Sequence, residues 1–386
     1  MDYVDKQSGL IIEGEYHNSL DVNGFSRMMK DPSYCYKFYW IEAIVQLISQ
    51  DKSETTFNEI IDEMICNAWY TVLEFHVHLS GWVQGQVRDG LERAIIRLKE
   101  LSDLPSNASS VEIKNEIRKY ESELADYKKQ LTMNVPYRAL AGFYDNANVS
   151  VNWDRLTELV AYTEELTKTY LLPYRFGYSS GLKREVIFNE KWKKLIQDNT
   201  VSILGWIQFE KLKWLQNNNP EVPGLVYKLA PLDEKMRKLN QVRSLWQSII
   251  ENRTIIDVFK DEPIRQGKYD IDHFIPWSFV MNDELWNLMP MDSSLNSTKS
   301  NKLPDWDKFF GRYSKNQFIL YGMINDDSMP QIRQKFEKCY KDNLHSIWAS
   351  QELYVKGNTE TEFCNILAKN MRPVYDSAYR QGYQIW

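Results

Sequence analysis

The chain has 386 residues, 43% hydrophobic and 26% charged, which is room for one large domain or two and the composition of an ordinary globular protein. Its net charge of −6 and pI near 5.6 speak against the broad basic surface with which a protein ordinarily grips nucleic acid unaided. Cys35, Cys66, Cys339 and Cys364 are scattered with no CxxC pair, which excludes a zinc knuckle and favours a reduced, cytoplasmic setting.

From the N-terminus onward the pattern is helical. The opening MDYVDKQSGL has neither a basic flank nor an apolar core, and no stretch approaches about 18 consecutive apolar residues, so neither a signal peptide nor a membrane span is expected. Phe38, Ile41, Ile44, Val45 and Ile48 predict a helix over Tyr36–Ser49; Ile60, Ile61, Met64, Ile65, Ala68, Trp69 and Val72 predict another over 57–79, with Gly81 and Gly85 as punctuation. A polar gap containing Pro105 separates a helix near 87–101 from a charged one near 111–131, and Asn134-Val135-Pro136-Tyr137-Arg138 is expected to break helicity. Helices are then expected over 153–167, 190–216 and 231–251, the second ending at Asn217-Asn218-Asn219-Pro220, and beyond residue 304 over 306–323, 331–353 and 360–383. The chain is thus expected to be mainly α: a helical domain over 1–250, a core over 251–310 and a helical extension over 311–386.

Several features in the helical part read as structure. His76 and His78, two positions apart on a helix, face different ways and are expected in the core or at its boundary, not as a metal pair. Tyr36, Phe38, Tyr39 and Trp40 have helical spacing and read as core before base-stacking groups. The absence of a glycine-rich phosphate loop excludes nucleotide hydrolysis by this chain. The basic concentrations Lys183 to Lys194 and Lys228 to Arg243 read as solvated helix faces that could track a phosphate backbone.

Residues 270–304, DIDHFIPWSFVMNDELWNLMPMDSSLNSTKSNKLP, carry the chemistry. Alternation from Tyr269 to His273 predicts a strand ending near Phe274, because Pro276 cannot donate to a ladder. Regular strand geometry points Asp272 and His273 to opposite faces, so both reach one site only if the chain twists there. In a second strand Trp286 and Leu288 would share one face and Asn287 take the other. Asp292 or Ser293 then caps a helix on which Asn296, Lys299 and Ser300 share a side. An anionic oxygen from Asp272, a neutral one from Asn296 and a base in His273 suit metal-assisted phosphodiester cleavage, and oxygen ligation favours Mg²⁺ or Mn²⁺ over Zn²⁺.

The Asp272-His273 pair, the Ile275-Pro276-x-Ser278-Phe279 exit, Asn287, and the run Asn296-x-x-Lys299-Ser300 closing at Pro304 resemble the HNH, or ββα-metal, endonuclease family. The likeness is greatest to the HNH domain of RNA-guided CRISPR effectors and to bacterial HNH proteins with a helical extension. The resemblance implies a metal held by Asp272 and Asn296, a general base in His273, an orienting role for Asn287 and, with Lys299 at a phosphate, products bearing a 5′ phosphate and a 3′ hydroxyl. Asparagine stands where the family name has its last histidine. Asp31-Pro32-x-Tyr34, Val135-Pro136-Tyr137-Arg138, Asn219-Pro220-x-Val222-Pro223 and the ending from Ala378 to Trp386 are similar to the same bacterial group, which implies an anti-phage or restriction role.

Charge shapes the expected partners. Arg265 to Arg312 holds six Lys or Arg against seven Asp or Glu, a balance of −1. The substrate is expected to be DNA, delivered by a protein partner such as a helicase, ATPase or guide-carrying protein. The competing function is a catalytically silent HNH-fold scaffold or nucleic-acid-binding subunit of a larger complex.

Overall fold

The computed structural model describes residues 3–4, 10–12, 14–30, 32, 34–80, 89–144, 152, 155–229 and 237–386, without the side chains of 3, 4, 11, 134, 296 and 297. Gly81, Gly85, Trp153 and the first turns of the helix expected from 231 lie outside these residues. Two compact units are present, residues 1–220 with 228–231, and residues 221–227 with 232–386. The expected boundary at 250 is corrected by packing: the helix Asn240–Asn252 lies on Pro330–Asn343 and buries Val242, Leu245, Trp246 and Ile249 in the same core as the expected nuclease segment and extension.

The first unit is helical, as its periodicity predicts. Tyr36–Ser49 packs on Phe57–Phe75 and Thr200–Asn218, with Phe38, Tyr39 and Trp40 fully buried as core. The Trp40 indole donates to the Tyr174 hydroxyl at 3.1 Å, which donates in turn to the Pro136 carbonyl at 2.7 Å. Helix Glu121–Arg138 runs through Pro136 where a break was expected; the proline gives up its bond to the carbonyl four residues earlier, and the helix ends two residues after it. The helix expected over 190–216 is two, Glu190–Asp198 and Thr200–Asn218, parted at Asn199. Strands Glu54–Thr56, Glu185–Phe188 and Tyr174–Phe176 form a small antiparallel sheet whose members are too short to show a period in the sequence. His76, at φ 51°, ends its helix half-buried, and His78 is buried with Nδ1 2.7 Å from the buried Glu92 carboxylate, so both lie in the core or at its boundary.

The second unit surrounds an antiparallel ladder in which Tyr269–His273 pairs with Leu288–Asp292, Ile271 facing Pro290 and His273 facing Leu288. Pro290 is tolerated because a two-stranded ladder leaves each strand an edge that needs no donor. Helix Ser293–Lys299 lies against both strands, giving the expected strand, strand, helix order. Trp286 and Asn287 are not in the second strand, however: Leu285–Asn287 is a 3-10 turn and the strand starts at Leu288.

The connection between the strands is held from the C-terminal helices. Buried Glu284 accepts from the backbone N–H of His345 at 2.8 Å and of Ser346 at 3.1 Å, and from the Trp286 indole at 3.1 Å. Asn343 donates to the carbonyls of Asp283 and Lys238, Tyr313 to that of Trp286, and Gln317 to that of Leu288. Beyond the short helix, Leu303 exchanges backbone bonds with Gln384 and Trp386, so the last residues are part of this core. The extension is thus structural support for the 274–287 connection.

Glu284→Ala should remove the buried carboxylate that two backbone N–H groups share and destabilise this unit by about 3 kcal/mol, the scale of a lost charge-assisted network. Denaturant unfolding followed by tryptophan fluorescence would show it. A change within about 0.5 kcal/mol, as for an ordinary surface substitution, would contradict the clamp.

Candidate active site

Strand alternation persists to the end of Tyr269–His273: Tyr269, Ile271 and His273 are buried, whereas Asp270 and Asp272 lie half-buried on the other face. Asp272 and His273 consequently share no side-chain hydrogen-bond partner among the described residues, although the His273 backbone N–H helps to hold the Asp272 carboxyl low.

His273 is fully buried. Its Nε2 lies 3.1 Å from the Asn282 carbonyl oxygen and 3.1 Å from Asp283 Oδ1; its Nδ1 lies 3.3 Å from Arg237 Nη2. A carbonyl only accepts and a guanidinium only donates, so the partners assign the proton to Nε2 and leave the lone pair on Nδ1. Asp283 Oδ2 also accepts from the Lys238 N–H at 2.5 Å. Burial pushes the Asp283 carboxyl up, but hydrogen bonds from His273 and the Lys238 N–H, with the positive charge of Arg237, hold it below its ordinary value.

The connection that presents His273 is pinned by Asn287. Its Oδ1 accepts from the Ile275 N–H at 2.8 Å, its Nδ2 donates to the Ile275 carbonyl at 2.8 Å, and its own carbonyl accepts from Phe274 N–H. Asn287 is fully buried, so an amide that both donates and accepts is required at this position. Met281, at φ 55° beside Gly224, turns the chain so that Asn282 and Asp283 face the imidazole.

On the opposite face Lys299, the last residue of its helix, places Nζ 2.8 Å from Asp272 Oδ2. Its side chain is 1% exposed: a desolvated ammonium requires a counter-charge, and Asp272 supplies it. Burial raises the Asp272 carboxyl, but the Lys299 ammonium more than offsets this and holds it below the usual range. Asn296 sits on the same helix, and its side chain lies outside the described residues. Asp292 accepts from the N–H and hydroxyl of Ser294, which together with Lys260 hold its carboxyl well below the ordinary value. Among the described residues no three His, Cys, Asp or Glu side chains converge.

Arg237, Asn282 and Asp283 escape sequence reasoning. Asn282 and Asp283 look like turn residues, and Arg237, 36 positions before His273, carries no local signal. The basic concentrations are also mostly spent. Arg184 pairs with Glu164, Lys193 with Asp51 and Lys194 with Asp198; in the second, Lys228 is buried and Lys238 pairs with Asp342.

The pairing predicts a pH response. Asp283 ionises more readily folded than unfolded, so its stabilisation is present above the unfolded carboxylate value near 4 and is lost as pH falls through the lower folded value. The stability difference between the parent and Asp283→Asn should therefore be largest near neutrality and shrink below about pH 4. Denaturant melts at a series of pH values check this; a difference independent of pH would contradict it.

Residues 257–305, which contain these strands, their connection and the short helix, match the family model described as HNH endonuclease. No curated protein and no solved structure matches the chain. The segment that presents His273 is therefore of HNH type. No helix among the described residues is long and apolar enough to cross a membrane.

Proposed function

We propose that the chain is a metal-dependent endonuclease that hydrolyses DNA phosphodiesters at the HNH segment spanning residues 257–305. The observation that carries this reading is the hydrogen bonding of His273: with Nε2–H committed to the Asn282 carbonyl and Asp283, its one lone pair, on Nδ1, is the base. Asp272 and Asn296 are the residues that would hold Mg²⁺ or Mn²⁺. The donor chemistry fits, since Asp272 is a hard anionic oxygen kept ionised beside a cation, and an ion that retains most of its waters needs few protein ligands. When bound, such an ion supplies charge stabilisation at a phosphoryl oxygen and at the leaving 3′ oxygen.

The protein's own groups do the rest. Nδ1 of His273 takes a proton from water as that oxygen bonds to phosphorus and the bond to the 3′ oxygen breaks; the 3′ oxygen takes a proton from solvent, leaving a 5′ phosphate and a 3′ hydroxyl. The imidazolium formed is stabilised by the Asp283 carboxylate, 3.1 Å from Nε2. Asn287 keeps the histidine's connection in place through Ile275. Lys299, which pairs with Asp272, would be the residue to meet a phosphate oxygen.

An acidic chain whose basic runs are internally paired should bind DNA poorly alone, so a partner such as a helicase, ATPase or guide-carrying protein would deliver the substrate. A cytoplasmic anti-phage or restriction role fits that dependence. The burial of His273 beneath Arg237, and its place on the strand face opposite to Asp272, favour the second reading, a silent HNH-fold scaffold or nucleic-acid-binding subunit, and activity decides between them.

Purified protein, alone or with its partner, should cut DNA with Mg²⁺ or Mn²⁺ and not with EDTA, and His273→Ala should slow cleavage by about 10²–10⁴-fold. Equal rates for parent and variant would place the chemistry elsewhere. Excess Mn²⁺ should recover part of the activity of Asn296→Ala and none of Asn287→Ala, which loses the support of His273; equal recovery would contradict that division. The isolated chain should bind a random duplex with a Kd at or above roughly 10⁻⁶ M at physiological salt, and nanomolar binding in a titration would remove the need for a delivering partner.

A further inference from the structure

Arg237 lies against the buried His273. The arginine is exposed and its Nη2 lies 3.3 Å from Nδ1, the nitrogen with the lone pair, whereas the imidazole itself is fully covered. A neutral imidazole has one lone pair; while the guanidinium donates to it, the nitrogen cannot accept a proton from water. The geometry therefore shows a base with its accepting nitrogen masked.

The mask is lightly held. The guanidinium lies over the Trp277 ring at 5.5 Å, an interaction worth about 0.5–1 kcal/mol at an exposed site. No carboxylate pairs directly with Arg237 among the described residues; it acts on Asp283 only through the field that helps to keep that carboxyl low. A guanidinium with a neutral nitrogen and a ring face as partners gains substantially by moving to an anion, and a phosphodiester offers two oxygens in the geometry its fork matches. Lys238 and Arg243 are already paired with Asp342 and Asp270, so among the described residues of 237–243 Arg237 is the cation without a carboxylate partner.

We propose that Arg237 is a substrate-binding residue that caps His273 Nδ1 until a nucleic-acid phosphate draws it away, so that the phosphate is gripped and the base unmasked by the same movement. This rests on the nuclease reading above and adds to it a requirement that the base be idle without a phosphodiester nearby. Water activation would then be confined to the bound substrate.

The test uses the full chain with its five histidines ¹⁵N-labelled, in EDTA so that DNA survives, with a short DNA duplex as the probe. In the free protein, Arg237→Ala should move the His273 Nδ1 resonance downfield, toward that of an imidazole nitrogen accepting no hydrogen bond. Adding duplex to the parent should move it the same way, and adding it to Arg237→Ala should move it no further. Duplex affinity should fall about tenfold in Arg237→Ala, the scale of one charge-assisted hydrogen bond, with the salt slope lower by about 0.9. Arg237→Lys, which keeps the charge without the fork, should retain the parent's slope. An Nδ1 signal identical in parent and Arg237→Ala, or unmoved by duplex in the parent, would overturn the cap, whatever the cleavage assay shows. Conversely, a parent that shifts with duplex but never cleaves with any divalent ion would retire the nuclease reading and leave the cap standing.

Discussion

The site depends on how the Phe274-to-Asn287 connection is held, because that connection decides which nitrogen of His273 is free. Asn282 contributes a carbonyl and Asp283 a carboxylate to Nε2, and both depend on a left-handed turn at Met281 and on Asn287 locked to Ile275. Within this run Asn287 is matched by Ile275, Glu284 by the N–H groups of His345 and Ser346, and Asp283 by the Lys238 N–H. The extension after residue 305 thus carries the inner half of the site: without His345, Ser346 and Asn343 the carbonyl and carboxylate facing His273 would have no fixed position.

Two faces of one strand bear opposite halves of the proposed chemistry. His273 points inward to Asn282 and Asp283, while Asp272 points outward to Lys299 on the short helix, so proton transfer and cation binding are separated by the backbone itself. Each half already holds a cation against it, Arg237 at the imidazole and Lys299 at the carboxylate. Both are placed where an anionic substrate, or the charge accompanying it, would compete with them. The arrangement is balanced internally, in keeping with a chain whose net charge is −6 and whose long-range field does not attract DNA.

Much of this was legible in the sequence where a period or a fixed-geometry residue spoke. Helix Tyr36–Ser49 is bounded as its apolar spacing predicts, Pro276 stops the first strand just after His273, and the strand, strand, helix order of the site follows from alternation and the Asp292 turn. What was not legible required tertiary context. Lys299 reads as an open cation until the helix turns it onto Asp272, and Pro136 reads as a breaker until its place two residues from a helix end is known. Arg237 and Asp283 meet His273 from distant or irregular segments, where neither spacing nor composition marks them.

Direct measurement of metal binding tests the division of labour most sharply. Mn²⁺ titrations read by electron paramagnetic resonance on the parent, Asp272→Ala and His273→Ala should show the tight site unchanged in the histidine variant and lost in the aspartate variant. Equal Mn²⁺ affinity in the parent and Asp272→Ala would contradict the account, because the cation would then be held elsewhere and the strand would not divide cation binding from proton transfer.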